Sequence, residues 1–439
     1  MSSETCSTAA ADGAENRPRE VICDHTGIAF PDRFDALRQG GAAMLTALFH
    51  ALGTLETGNR IERITRWEEF IGGGMGRKIV IDVDYAQPTD RPRRLFAKFT
   101  REPGDPLQHL FSPVMNPEVR FALLSRRSDF PLNVPECMFA GYSADDLTGL
   151  LITSRVPYGE NGVLPAMEKA VDHEYDDLLP VYEAQTGAIA KLAGFHRSGG
   201  FGGMVEEAFP LDRASEALLS VIPFDRDGLL AKLETLRDFA AKAPQLLPEG
   251  LAEPGFLAEF SEGALMVLEK ERTIWQAIYA HDDAIALIHW NMNPDNAWFW
   301  RDNTGTMHSG QLDWGGVGQG NLAQSYYGMY CAAETGFIAR HDAHLQKLLL
   351  RDYAAQGGPA VDPVRFDRDV SLAIAVLGSA WMLDAPSLIA GDIADYATLS
   401  GRDDPRLRSQ FIPRAQLQLM QLFLSEWRRK RIGDIVAAL

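Results

Sequence analysis

Two neighbouring stretches carry most of the information in this chain: Ile288-His289-Trp290-Asn291-Met292-Asn293-Pro294-Asp295-Asn296 and, after a short interval, Gln311-Leu312-Asp313-Trp314-Gly315. An apolar run ends at His289, Asn291 follows two residues later, and Asn296 follows five after that. Asp313 closes a second apolar run and precedes Trp314-Gly315, so it is expected at a strand end. Asn296 and Asp313 offer one amide oxygen and one carboxylate, a donor pair suited to a hard cation such as Mg²⁺. The alternative for Asp313 is an ordinary turn aspartate ahead of glycine.

Working outward, the chain has 439 residues, enough for two sizeable cores. Its formal net charge of −18 argues against nonspecific nucleic-acid binding and against an anionic membrane surface. A nucleotide is not excluded, because a local lysine, backbone N–H groups and Mg²⁺ act against the global sign. The cysteines Cys6, Cys23, Cys137 and Cys331 form no pair with zinc spacing and read as free thiols of a cytoplasmic protein. No apolar stretch is expected to reach the ~20 residues that span a bilayer. Residues 1–20 lack the basic flank and apolar core of a secretory signal, and residues 1–25 are expected to be a disordered tail.

The first third alternates between strand and turn signals. A helix is expected over 31–55 and strands over 64–70, 79–85, 95–99, 137–142 and 150–156. A helix over 117–125 falls after the third strand, and the glycine cluster 72–76 lies between the first two. After residue 157 helices are expected over 175–197, 226–241, 254–279, 370–389 and 413–439, interrupted by short apolar runs over 284–314. The prediction is an α+β, two-lobed chain: a small antiparallel sheet with one helix over 26–155, and a larger, mostly helical lobe over 156–439.

Three features of the first lobe point to phosphate chemistry. Gly72, Gly73, Gly74 and Gly76 carry no Cβ to keep backbone N–H groups from an anion. Lys98 lies in the strand Leu95-Phe96-Ala97-Lys98-Phe99, and a buried ammonium there needs an anionic partner. Glu118 in the following helix is the expected partner; an edge-strand lysine in solvent is the alternative.

Taken together, His289, Asn296, Asp313-Trp314-Gly315, Lys98, the glycine cluster and the helix ending Leu192-Ala193-Gly194-Phe195-His196 resemble the protein-kinase-like superfamily. Within it, the chain is similar to the small-molecule phosphotransferases, which include aminoglycoside phosphotransferases, choline kinases and ecdysteroid-kinase-like proteins. The resemblance runs from about Trp67 to about Gly328, and a branch with the wording His-Trp-Asn…Asn-Ala-Trp-Phe-Trp resembles it further. It implies ATP and Mg²⁺ as cofactors, with ATP between the lobes. Gly72, Gly73, Gly74, Gly76, Lys98, Glu118, Thr153, Ser154 and Val156 would face the nucleotide, and Asn296 and Asp313 the metal. It also implies an inward-packed, structural His289.

The family pattern has an aspartate where this chain has Asn291. An amide does not take the acceptor's proton, an assistance worth ~10²–10⁴ in rate. Phosphoryl transfer depends mostly on positioning and charge neutralisation, so the substitution slows the reaction without forbidding it. Asp295 is a substitute carboxylate or else a cap; Asn291, Asp295 and Lys98 are the catalytic candidates. Three readings stand open: a phosphotransferase acting on a small-molecule hydroxyl, a nucleotide-binding pseudokinase or interaction module, and an enzyme transferring another part of the nucleotide. Trp298 and Trp300 read as strand packing, Trp290 or Trp314 as core or pocket wall, and the run Arg428-Arg429-Lys430-Arg431 as a solvated helix end.

Overall fold

A computed structural model describes residues 19–70, 76–102 and 104–439. The chain divides into two compact units: residues 19–130, Val134–Val156 and Asp313–Gly316 form one, and Pro131–Asn133, Pro157–Leu312 and Val317–Leu439 the other.

The first unit is built on a five-stranded antiparallel sheet. Its strands are β3 (Ile61–Phe70), β4 (Lys78–Tyr85), β5 (Arg94–Phe99), β6 (Cys137–Ser143) and β7 (Thr148–Ser154), in the order β3-β4-β5-β7-β6. Strict alternation in β4 buries Ile79, Ile81, Val83 and Tyr85 and leaves Lys78, Val80, Asp82 and Asp84 on the other face. The helix Met115–Leu124 follows the third strand of this sheet and buries Val119 and Phe121. The amphipathic helix Phe34–Leu52, bent at Gly41, packs into the same core.

The expected tail needs correcting at its inner end. β1 (Glu20–Ile22) pairs with β2 (Ala29–Pro31), with Val21 and Phe30 buried in the core of the first unit. So few apolar residues suffice here because the sheet supplies the rest of the burial.

The second unit is mostly helical, as expected, around a continuous apolar core. Its four short strands form two antiparallel pairs: β8 (Ile285–Ile288) with β11 (Gly318–Asn321), and β9 (Ala297–Arg301) with β10 (Met307–Gln311). The first long helix starts at Leu179, not 175, because Pro180 has no N–H to donate and fits only the first turn. The helices Leu322–Tyr330 and Thr335–Ala355 were not expected from the sequence. Their apolar pattern is diluted by polar residues, although Phe337, Ile338, Leu345, Leu349 and Tyr353 are helically spaced and buried. The last expected helix is two, Phe411–Arg429 and Ile432–Ala437, separated by Arg431 at φ 52°.

One further expectation is overturned and another holds only in part. Pro363–Asp392 is long and apolar enough to cross a membrane by length and composition, yet 72% of its apolar window is buried in the protein. It comprises the core helices Pro363–Trp381 and Ala385–Asp392. The basic run is a solvated helix end only in part: Arg428, Arg429 and Arg431 are exposed, while the Lys430 side chain turns inward. The Lys430 side chain is buried and meets Asp342 at 2.8 Å and Asp367 at 2.5 Å, while Arg429 bonds Glu426 and Asp342. Buried charges persist only when paired, and these pairs tie the last helices to the middle of the unit. Cys23, Cys137 and Cys331 are buried free thiols.

Candidate functional site

β5 lies inside the sheet, between β4 and β7, and its alternation sends Leu95, Ala97 and Phe99 into the core. Lys98 points to the opposite face, where it meets the helix that carries Glu118. The Lys98 Nζ donates to Glu118 Oε2 at 2.8 Å and to Asp313 Oδ1 at 2.8 Å. Lys98 and Glu118 are almost fully buried, whereas the Asp313 side chain is 42% exposed. Burial works against the ammonium, but the two carboxylates outweigh it and hold the Lys98 pKa above its ordinary value. Glu118 is pushed up, first by burial and then by Asp313, because one ammonium serves two carboxylates.

Asp313 adopts φ 60°, a left-handed conformation uncommon outside glycine. Its C-terminal neighbours hold it there. Trp314 stacks on Phe121 with ring centroids 3.7 Å apart, and the Gly316 N–H donates to the Val114 carbonyl at 3.3 Å. Trp314 is therefore core, the first of its two expected roles.

In the second unit, residues 289–296 form a loop closed by its own side chains. His289 is fully buried. Its Nδ1 accepts from the Asn291 N–H at 3.2 Å, which leaves the proton on Nε2 to donate to the Leu312 carbonyl at 3.1 Å. His289 is thus a structural histidine holding the residue just before Asp313. The Asn296 Nδ2 donates to the Asn291 carbonyl at 2.9 Å. With its nitrogen so occupied, Asn296 has its Oδ1 without a hydrogen bond to the described residues.

Asn293 sets the orientation of Asn291. Its Nδ2 donates to the Gly328 carbonyl at 2.9 Å and to Asn291 Oδ1 at 2.7 Å. A carbonyl only accepts, so Asn293 cannot be reversed, and Asn291 must accept through its oxygen. The Asn291 group left to face outward is its NH₂. Gly328 is equally constrained: a Cβ there would stand 1.7 Å from the Trp290 carbonyl oxygen. Asp295 forms an ion pair with Lys169 at 3.3 Å.

Gly72, Gly73 and Gly74 lie outside the described residues. Gly76 has φ 143°, and a Cβ on it would sit 2.0 Å from the Phe99 carbonyl, so strand packing already requires glycine. Thr153 pairs with Phe96, and Ser154 Oγ accepts from the Glu136 N–H at 2.8 Å. Val156 is the last residue of its segment in the first unit. Trp290 is exposed. Trp298 and Trp300 share the half-buried face of β9, over Gly310 and His308, while Ala297 and Phe299 take the core positions. The structure thus brings Lys98, Glu118 and Asp313 together in one unit, and Asn291, Asp295 and Asn296 in one loop of the other. Sequence reasoning missed Asn293, Gly328 and Lys78; only Lys78 left a signal, its place on the polar side of an alternating strand.

No family model and no curated protein matches the chain. Solved structures do. The GDP complex of wild-type aminoglycoside 2′-phosphotransferase-IIIa is 13% identical at a TM-score of 0.39, covering 83% of this chain and 93% of its own. An ethanolamine kinase of Plasmodium vivax is 10% identical at 0.42, covering 85% and 83%. Spectinomycin phosphotransferase, solved with ADP and spectinomycin, is 10% identical at 0.37, covering 83% and 94%.

Proposed function

We propose that this protein is an ATP- and Mg²⁺-dependent phosphotransferase acting on the hydroxyl group of a small molecule. The observation that carries this reading is the ammonium of Lys98 held 2.8 Å from both Glu118 and Asp313. Buried Glu118 fixes the lysine where it can meet phosphate oxygens. Asp313, the more exposed partner, is free of that burial and suited to turn to a cation.

The donor set fits Mg²⁺. Among the described residues no cluster of three or more His, Cys, Asp or Glu side chains could hold a metal. Mg²⁺ in phosphotransfer sites needs only one or two protein oxygens beside water and substrate phosphates, and Asp313 and Asn296 would provide a carboxylate and an amide oxygen. Bound ATP and Mg²⁺ would supply the phosphoryl group and much of its charge neutralisation. Gly72, Gly73 and Gly74 would offer backbone N–H groups to the phosphates, and Thr153, Ser154 and Val156 would border the rest of the nucleotide.

Asn291 would donate its NH₂ to the acceptor oxygen or to a phosphate oxygen and so orient it, without removing the acceptor's proton. Asp295, four residues on and charge-paired with Lys169, is the carboxylate that would take it. The engaged oxygen of Asn291 also favours a second reading, a nucleotide-binding module with weak or absent transfer, or transfer of another nucleotide part such as AMP.

Thermal unfolding with ATP and Mg²⁺ tests the nucleotide site. At one hundred times the dissociation constant, ligand binding stabilises by ~2.7 kcal/mol. The expected result is a clear upward shift that Asp313→Ala loses in its Mg²⁺-dependent part; no shift in the parent protein overturns the reading. Mass spectrometry of hydroxylated metabolites for a phosphate gain then separates the enzyme from the module.

A further inference from the structure

The β4–β5 register places Lys78 directly opposite Lys98. Directly opposed residues of an antiparallel pair share a face, with Cβ atoms ~5 Å apart. Lys78 therefore stands on the face that carries the Lys98, Glu118 and Asp313 contacts. β4 is an inner strand, between β3 and β5, so Lys78 is not an edge lysine fanned into solvent.

Along this face the other charges of β4 are paired. Asp82 meets Arg155 at 3.2 Å, and Asp84 meets Arg63 at 2.6 Å and Arg93 at 3.1 Å. Lys78 is half-buried and has no hydrogen bond or ion pair among the described residues. Burial lowers its pKa, and Asp313, Lys98 and Glu118 all act on its charge. A partly desolvated ammonium without a partner is unfavourable, and the usual remedy is an anion. Lys98, by contrast, is already shared between two carboxylates. A triphosphate carries more negative charge than one divalent cation and one ammonium neutralise, and Lys78 is the nearby cation whose charge is not already matched.

We infer that Lys78 is a second phosphate-binding lysine, paired with Lys98 across β4 and β5 to form a two-ammonium receptor for a nucleotide polyphosphate. This rests on the nucleotide reading proposed above and adds a residue to it. Lys78 would contact the phosphates rather than the base, so its contribution scales with the number of phosphates.

The test is calorimetric binding of ATP, ADP and AMP, each with Mg²⁺, to the full chain. The variants are Lys78→Met, Lys78→Gln and Lys78→Arg, with the exposed Arg63→Met as a charge control. Losing a charged hydrogen bond costs roughly ten- to hundredfold in affinity. Lys78→Met and Lys78→Gln are expected to weaken ATP by about that factor and AMP by less than about threefold. Lys78→Arg should recover part of the loss, and Arg63→Met should bind as the parent does. ATP binding unchanged in both neutral variants overturns the inference while leaving the nucleotide site standing. Equal loss of ATP and AMP also overturns it, since that marks a general fault in the sheet. A parent chain that binds none of the three nucleotides overturns the nucleotide reading and this inference with it.

Discussion

Replacing Gly328 by alanine probes the geometry of the Asn291 loop without reference to any ligand. The added methyl would lie 1.7 Å from the Trp290 carbonyl oxygen, 2.6 Å from its carbon and 3.4 Å from the Asn291 nitrogen. Relief requires a backbone displacement of about 1.5 Å, from a helix whose residues are almost all buried or from a loop pinned by its own hydrogen bonds. Overpacking a core costs about 1–3 kcal/mol. Moving the loop also strains the Asn293 bond to the Gly328 carbonyl and the His289 bond to Asn291, worth about 1 kcal/mol each. Alanine returns about 1 kcal/mol of helix propensity, leaving a net loss of about 3 kcal/mol. Gly187 is the matched control: it too sits inside a helix, but a Cβ there meets nothing within 4 Å. Gly187→Ala should gain about 0.5–1 kcal/mol. Guanidinium unfolding followed by far-ultraviolet circular dichroism compares the two, with midpoint shifts read at unchanged slope. If Gly328→Ala matches the parent within about 0.5 kcal/mol, the close approach of helix and loop is wrong, and with it the enforced orientation of Asn291.

The same geometry sets two more outcomes. Asn291→Asp keeps the acceptor that Asn293 needs, so ATP affinity should hold while ADP release with a hydroxylated acceptor stays level or rises, by up to ~10²–10⁴; a fall in turnover contradicts the assigned role. Asp172 is buried, accepts from the Tyr182 hydroxyl at 2.6 Å, and is pushed up to about 6 by burial first, with Glu334 and Asp295 adding to it. A carboxyl whose folded pKa is raised destabilises the fold when ionised, above about pH 6, and that penalty fades as pH falls towards its unfolded value of ~3.9. Asp172→Asn should therefore stabilise by about 3 kcal/mol at pH 8 and give no gain at pH 4 in thermal melts; an equal gain at both pH values refutes the electrostatic cause.

The residue positions of the loop were legible because their spacing is local. The offsets of His289, Asn291 and Asn296 were visible, but the bonds that close the loop, those of Asn293 above all, were not. The sheet was legible for a similar reason, since a period of two in 79–85 commits one face to burial. The buried pairing of Lys98 with Glu118 came from the cost of an unpaired buried ammonium. The missed helices Leu322–Tyr330 and Thr335–Ala355 had only partial patterns, because burial in a large helical unit depends on neighbours far along the chain.

By itself, then, the sequence determined the alternation of strands, the offsets of the loop residues and the residue types available for phosphate and metal. Tertiary structure alone decided which of them meet. Asp313 reaches Lys98, 215 positions away in sequence, by turning left-handed against the helix that holds Glu118. Lys78 faces the same side only because the β4–β5 register is what it is; a slip of one residue would exchange it with buried Ile79. Lys430, which read as part of a solvated end, is drawn inward by Asp342, nearly ninety residues earlier, and Arg429 reaches the same carboxylate from the surface. Local spacing encodes hydrogen bonds between near neighbours, whereas pairings of distant charges are set by packing and register, which the order of residues does not display.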